Sequence, residues 1–204
     1  MGPDAMRCCY GGAPLLAHTQ SHGFKCAYHS VVLALAGLAV WVPPLASMVL
    51  AVEAVWYAGD IVAVVRGKKS RKERLISCVH HGILLSMLAY AAPFHDRTMI
   101  ALPVISTHKP ADIILYAMRF FRERGWERGV DVSFGAILAV WPITRLLIFP
   151  IYVVWPLYGR YPPWAWPWPW AAAAVITGLN AYWTGIIARV GIRYSRGAVI
   201  SDPR

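Results

Sequence analysis

Six long apolar runs divide this chain of 204 residues, and they constrain its fold more than any other feature. About 20 apolar residues is the length that a helix needs to cross a hydrocarbon core of about 30 Å. Backbone polar groups must be paired inside a bilayer, so such runs fold as helices. The sequence therefore predicts an all-α fold, a polytopic membrane helix bundle of about six transmembrane helices. The predicted spans are 29–42, which is short, and 45–65, 75–94, 98–118, 130–158 and 171–192.

The composition agrees with a membrane location. Hydrophobic residues make up 58% of the chain and charged residues only 15%, and the mean hydropathy is +0.48. The charged residues lie in short clusters between the apolar runs, which is atypical of a soluble domain. The net charge of +10 would suggest nucleic acid in a soluble protein. Here the basic residues flank apolar runs, so we expect an anionic membrane surface and no nucleic-acid partner.

The ends of the apolar region suggest three parts. We expect residues 1–27 to be a loosely ordered tail, 28–195 a transmembrane domain and 196–204 a C-terminal tail. The four cysteines have neither metal-ligand spacing nor a disulfide framework. They are Cys8, Cys9, Cys26 and Cys78.

The basic loops predict the orientation in the membrane. With six spans, both termini and the loops 66–74 and 119–129 fall on one side, and these segments hold most of the basic residues. Cytoplasmic loops carry an excess of Lys and Arg, so we expect this side to be cytosolic. The segment 159–170, "GRYPPWAWPWPW", falls on the opposite side, where tryptophans form an interfacial belt.

Several ionisable or polar residues lie inside the predicted spans, where they are costly and usually face a bundle interior. They are Glu53, Asp60, His80, His81, His108, Asp112, Arg145 and Asn180. At 1.5 Å per residue, four of them lie about 8–16 Å from the basic boundaries, namely His80, Asp60, Asp112 and His108. A single histidine more often only bonds a neighbouring helix. Three histidines and two carboxylates at a similar depth favour a functional site over isolated hydrogen bonds between helices.

The spacing of these residues gives further expectations. Glu53, Tyr57 and Asp60 follow a helical stripe, which we expect to face inward. Arg145 needs a carboxylate or carbonyl partner, and Glu53 is the predicted one. Pro110 is expected to distort the fourth span. Adjacent histidines on a helix point about 100° apart, so no metal site is predicted.

Four motifs in order resemble the TLC-domain family, and within it the ceramide synthases. The segments "VHHGILL", "STHKPADIILYAMRFF" and "ITRLLIFPIYVV" carry the His-His pair, the His-to-Asp segment and the Thr-Arg-Leu stretch. "LNAYW" at 179–183 resembles the pattern of the final span, so the resemblance covers about 45–195. Two positions depart from the family pattern. Lys109 replaces its first Asp, and Tyr116 replaces a later acidic residue.

The resemblance implies N-acylation of a sphingoid base, with acyl-CoA as co-substrate, no bound cofactor and an endoplasmic reticulum membrane. The implied catalytic residues are His80, His81, His108 and Asp112. The residues expected to bind substrate are Asp60, Lys109, Arg145, Asn180, Arg66, Lys68 and Lys69, the last three at the face where CoA phosphates would sit. The alternative is a non-catalytic TLC-domain protein that binds or distributes membrane lipids. Lys109 is the residue that distinguishes the catalytic from the non-catalytic hypothesis. The sequence leaves open whether the protein forms homo-oligomers.

Overall fold

The structure is a computed structural model, and it describes residues 21–67, 70–91, 97–156, 162–164 and 167–195. The described residues form six long helices. They are α1 (His22–Ala39), α2 (Pro43–Arg66), α3 (Arg71–Ala91), α4 (Arg97–Glu123), α5 (Glu127–Val154) and α6 (Pro167–Ser195). The prediction of an all-α membrane helix bundle is confirmed. By length and composition, α2, α5 and α6 could each cross a membrane.

The predicted N-terminal tail is partly helical. Helix α1 begins at His22, with the Ser21 side chain accepting a hydrogen bond from the Phe24 amide. Residues 22–27, which we assigned to the N-terminal tail, are therefore helical. Residues 1–20 and the C-terminal tail 196–204 lie outside the described residues.

Two helix boundaries follow from local chemistry. Ser70 and Glu73 form a capping box at the start of α3, because each side chain bonds the backbone N–H of the other. Gly125 ends α4 with a φ of 66°. Its amide bonds the Arg122 carbonyl and the Trp126 amide bonds the Phe121 carbonyl, which is the Schellman pattern. The glycine thus turns the chain directly from α4 into α5.

Helix α5 changes its winding in its second half. It is α-helical over Glu127–Pro142 and then contains π-helical turns at Ile143–Ile148 and Pro150–Val154. A proline stands at or just before the start of each π segment. Proline lacks an N–H, so it breaks the i→i−4 ladder at these points. By contrast α4 continues as one helix through Pro110, so the distortion expected there does not end the helix.

Helices α5 and α6 are antiparallel and pack in a definite register. The Trp141 indole N–H donates to the Thr184 hydroxyl over 3.1 Å. Two turns further along α5 and two turns back along α6, Phe149 and Ile176 belong to the same buried cluster. The two helices therefore stay paired along their length.

The polar site lies between helices that pack across this bundle. Helix α1 packs mainly on α4 and also on α2, and α2 packs on α3. Helix α4 packs on α5, and α6 completes the bundle against α3 and α5. Many apolar side chains stay exposed on the outer faces, such as Val55, Val132 and Trp155, as a surface in contact with lipid requires.

Candidate active site

The three predicted histidines gather inside the bundle. The ring centroid of His80 lies 5.3 Å from that of His81 and 6.3 Å from that of His108. His80 and His81 are on α3, whereas His108 comes from α4. The predicted common depth thus corresponds to real proximity between two helices.

His81 is oriented by a carboxylate of α2. Its Nδ1 lies 3.1 Å from Asp60 Oδ2, and Asp60 Oδ1 lies 3.5 Å from Lys25 Nζ. A carboxylate only accepts hydrogen bonds, so a neutral His81 carries its proton on Nδ1. Its lone pair is then on Nε2. The role of Asp60 in substrate binding stays a prediction, and its contact with His81 Nδ1 makes it the neighbour that favours this assigned tautomer.

His108 is fixed by its own helix. Its side chain is 2% exposed, and its Nδ1 lies 2.9 Å from the Val104 carbonyl oxygen. A carbonyl only accepts, so the ring proton is assigned to Nδ1 and the lone pair to Nε2. This Nε2 is buried and has no hydrogen-bond partner among the described residues. A buried nitrogen with a free lone pair can take a proton from a bound ligand.

Arg145 lies in the first π segment of α5 and does not pair as predicted. Its Nη2 is 2.9 Å from Asp112 Oδ1 and 3.2 Å from the His108 carbonyl oxygen. Its guanidinium stacks on the Trp141 ring at 4.6 Å. The expected partner Glu53 is instead bound by Lys109. Arg145 and Lys109 both lie at membrane depth, and the rotation of α5 and α4 about their axes decides which of the two side chains reaches Glu53.

Glu53 and Lys109 form the centre of a second cluster. Both side chains are 0% exposed, and Lys109 Nζ lies 2.7 Å from Glu53 Oε2. Lys109 Nζ is also 3.0 Å from His29 Nδ1, and the Tyr28 hydroxyl donates to Glu53 Oε1 over 2.6 Å. The inward stripe of α2 is confirmed, because Glu53 and Tyr57 are buried in it. The role of Lys109 in substrate binding stays a prediction.

Asn180 of α6 completes the predicted set. It is 0% exposed, and neither its amide nitrogen nor its amide oxygen has a hydrogen-bond partner in the described part of the chain. His80 Nδ1 and the Nε and Nη1 atoms of Arg145 are also buried without a hydrogen-bond partner among the described residues. One turn further along α6, Trp183 packs edge-on against His80 at 4.9 Å.

The basic residues predicted to bind CoA are only partly described. Arg66 is exposed at the last turn of α2. Lys68 and Lys69 lie outside the described residues. Over the ranges that the structure describes, no group of three His, Cys, Asp or Glu side chains is arranged to hold a metal ion.

Sequence reasoning missed several residues of the site. Lys25, Tyr28 and His29 come from the first helix, and Trp183 and Thr184 come from the last. Lys25 and His29 are four residues apart, a spacing that places both on one helix face. That signal was present in the sequence. The aromatic residues carry no comparable signal, since tryptophans are also common at membrane interfaces.

Comparison with known proteins identifies the family of this chain. The family model for the TLC domain matches residues 8–189, so the chain belongs to the TLC-domain family. Within that family it is similar to ceramide synthases. It is 25% identical to human ceramide synthase 5 over 142 residues, or 66% of this chain and 36% of that protein.

Two further relatives show the same pattern. The chain is 28% identical to mouse ceramide synthase 5 over 144 residues, which is 66% of this chain and 34% of the relative. It is 27% identical to Arabidopsis thaliana ceramide synthase 1 LOH3 over 102 residues, or 49% and 32%. The matched region therefore spans about a third of the length of these relatives. No solved structure matches significantly.

Proposed function

We propose that this integral membrane protein is a lipid acyltransferase of the ceramide-synthase type. It would transfer a fatty acyl group from acyl-CoA to the amine of a long-chain sphingoid base. The observation that carries the proposal is the gathering of His80, His81 and His108 in the bundle interior. Similarity to ceramide synthases supports the substrate class.

The chemistry needs a base, because a long-chain amine is protonated near neutral pH. A neutral imidazole takes one proton from the ammonium, and the freed amine then attacks the thioester carbonyl carbon. The C–N bond forms and the C–S bond breaks. Coenzyme A leaves as a thiol after gaining a proton, and one further proton is released for each amide made. A histidine can also carry the acyl group transiently before the amine attacks.

The described residues fit separate parts of this reaction. His81, held at Nδ1 by Asp60, presents Nε2 as the base or nucleophile. His108 Nε2 is a second buried acceptor. Asp112 neutralises Arg145 and so keeps a cation stable at membrane depth. Arg66, with Lys68 and Lys69 of the adjoining loop, would bind the CoA phosphates at the membrane face.

The alternative is a non-catalytic TLC-domain protein that binds or distributes lipids. Lys109 favours it, because this position carries an Asp in the ceramide-synthase pattern. The Lys109 ammonium forms a fully buried ion pair with the Glu53 carboxylate. A pair that is already neutral adds structure and supplies no free carboxylate for catalysis.

The test is N-acylation by the purified protein in liposomes, with a long-chain base and acyl-CoA and with the amide measured by mass spectrometry. We expect His80→Ala and His81→Ala to lower the rate by about 10²–10⁴-fold, as loss of a general base does. The amount of folded protein should stay unchanged. His22→Ala is the control, since His22 pairs with Glu123 at an exposed position.

Two results would contradict the proposal. One is a wild-type protein that forms no amide with any long-chain base and acyl-CoA yet binds both lipids, which would favour the lipid-binding alternative. The other is a loss of activity in proportion to a loss of folded protein, which would make His80 and His81 structural.

We also propose an endoplasmic reticulum location with both termini cytosolic. The resemblance to ceramide synthases implies the location, and the excess of Lys and Arg in loops 66–74 and 119–129 supports the orientation. A single cysteine at position 166 should react with an impermeant reagent only from the side opposite to the termini. Labelling from the cytosolic side would reverse the orientation.

A further inference from the structure

Asn180 presents a buried amide that forms no side-chain hydrogen bond within the described part of the chain. The side chain is fully buried on α6, and both of its polar atoms lack a partner within the described ranges. A buried polar group left unpaired is unfavourable, and in membrane proteins such a group usually bonds a neighbouring helix. An unpaired amide at this depth therefore indicates a place for a ligand.

Arg145 presents further unused donors. Its Nη2 bonds Asp112 and the His108 carbonyl, but its Nε and Nη1 are buried and bond nothing among the residues described. A guanidinium only donates hydrogen bonds. Whatever binds these nitrogens must therefore offer an acceptor atom.

The register of α5 and α6 brings the two side chains to one level. The hydrogen bond between Trp141 and Thr184 pairs the two antiparallel helices. Arg145 lies four residues after Trp141, and Asn180 lies four residues before Thr184. Both residues therefore stand one turn from that bond, on the same side of it, and both are buried.

This level borders the histidines. Arg145 donates to the backbone carbonyl of His108. On α6, Trp183 follows Asn180 by three residues and packs against the ring of His80. A ligand atom held between Arg145 and Asn180 would thus lie beside the histidine cluster.

We infer that Arg145 and Asn180 form a subsite that binds the carbonyl oxygen of a fatty acyl thioester. The inference rests on the proposed function and names which group holds the acyl donor. The ligand atom must accept hydrogen bonds, and Asp112 already neutralises the charge of Arg145. A second anion would remain uncompensated inside the bundle, so a neutral carbonyl oxygen fits better than a carboxylate.

The test compares two ligands that differ only in the carbonyl, palmitoyl-CoA and S-hexadecyl-CoA, without any amine present. Dissociation constants are measured for the full chain in nanodiscs. We expect the wild type to bind palmitoyl-CoA about tenfold more tightly, the effect of one or two hydrogen bonds to the carbonyl. Asn180→Leu should bring the two constants together.

Two further variants complete the test, one as a control on α6 and one at Arg145. Thr177→Val is a matched change on α6, since Thr177 bonds the Ala173 carbonyl one turn earlier in its own helix, and it should keep the preference. Arg145→Lys keeps a cation near Asp112 but loses donors, so it should weaken the preference. Asn180→Leu should also raise thermal stability, because it removes an unpaired buried amide.

The inference is overturned if the wild type shows no carbonyl preference, or if Asn180→Leu and Arg145→Lys both keep it. It is also overturned if Asn180→Leu does not fold, because the amide would then be a structural partner. These outcomes are separate from those of the proposed function. Carbonyl preference without amide formation supports the subsite and contradicts the acyltransferase. Amide formation without a carbonyl preference supports the acyltransferase and contradicts the subsite.

Discussion

The bundle holds two polar clusters that differ in how completely their groups are paired. We call them the closed cluster (Tyr28, His29, Glu53, Lys109) and the open cluster (His80, His108, Arg145, Asn180). In the closed cluster Glu53, Lys109, His29 and Tyr28 contact one another, and Glu53 Oε2, which forms no hydrogen bond among the described residues, lies in an ion pair 2.7 Å from Lys109 Nζ. In the open cluster each member has at least one buried polar atom without a partner in the described part of the chain. A close opposite charge stabilises a buried charge, whereas buried polar atoms with neither an ion pair nor a hydrogen bond keep the capacity to bind.

The two clusters meet on one turn of α4. His108 belongs to the open cluster and Lys109 to the closed one. Neighbours on a helix point about 100° apart, so adjacent residues can face different sides of the bundle. The change from Asp to Lys at position 109 relative to the family pattern is therefore matched by Glu53 on α2. It need not disturb the groups around His108.

The largest effect is expected from Lys109→Asp. This change places a carboxylate beside Glu53 in a buried environment and leaves both without a cation. Breaking a buried pair costs about 3–5 kcal/mol. We expect a large loss of folded protein, measured as a lower Tm by size-exclusion chromatography after heating in detergent.

The rescue variant sharpens this prediction. Adding Glu53→Lys reverses the pair and should restore most of the stability. Arg71→Asp, a charge reversal at an exposed position, is the control and should change stability by less than about 0.5 kcal/mol. If Lys109→Asp folds as well as the wild type, the pair between Lys109 and Glu53 is not the centre of a closed cluster.

A smaller effect is expected from Asp60→Asn, which acts on His81. The amide no longer offers a charged acceptor to Nδ1, so the tautomer and ring orientation are less well held. We expect the acylation rate to fall about 10- to 100-fold, the value of one hydrogen bond to a charged group. Lys25→Met removes the other partner of Asp60 and should cost less activity. Equal losses in the two variants would contradict the positioning role.

The smallest effect is expected from Thr184→Val. This substitution removes the acceptor of the Trp141 indole and leaves the packing of α5 on α6 nearly unchanged. Hydrogen bonds between membrane helices contribute about 0.6–2 kcal/mol. We expect a loss of stability of about 1 kcal/mol, opposite in sign to the gain expected for Asn180→Leu. Denaturation in detergent can compare both variants, and a gain for Thr184→Val would mean that the bond does not support the register.

Most of the site could be predicted from the sequence because depth in a membrane follows from counting residues. The positions of His80, His81 and His108 relative to the basic loops correctly indicated that they lie close together. The pairing of Arg145 with Glu53 was wrong, because depth does not say which way a side chain points. Arg145 reaches Asp112 instead, and Lys109 reaches Glu53.

The sequence by itself determined the helical bundle, the inward stripe of α2 and the convergence of His80, His81 and His108. These features follow from local rules, namely run length, helical period and depth. Only the tertiary structure decided which charges pair and which polar atoms stay free. The physical reason lies in helix rotation and packing. After Pro142 the π turns of α5 shift the phase of every later residue, so the facing of Arg145 toward Asp112 could not be extrapolated from a regular α-helix.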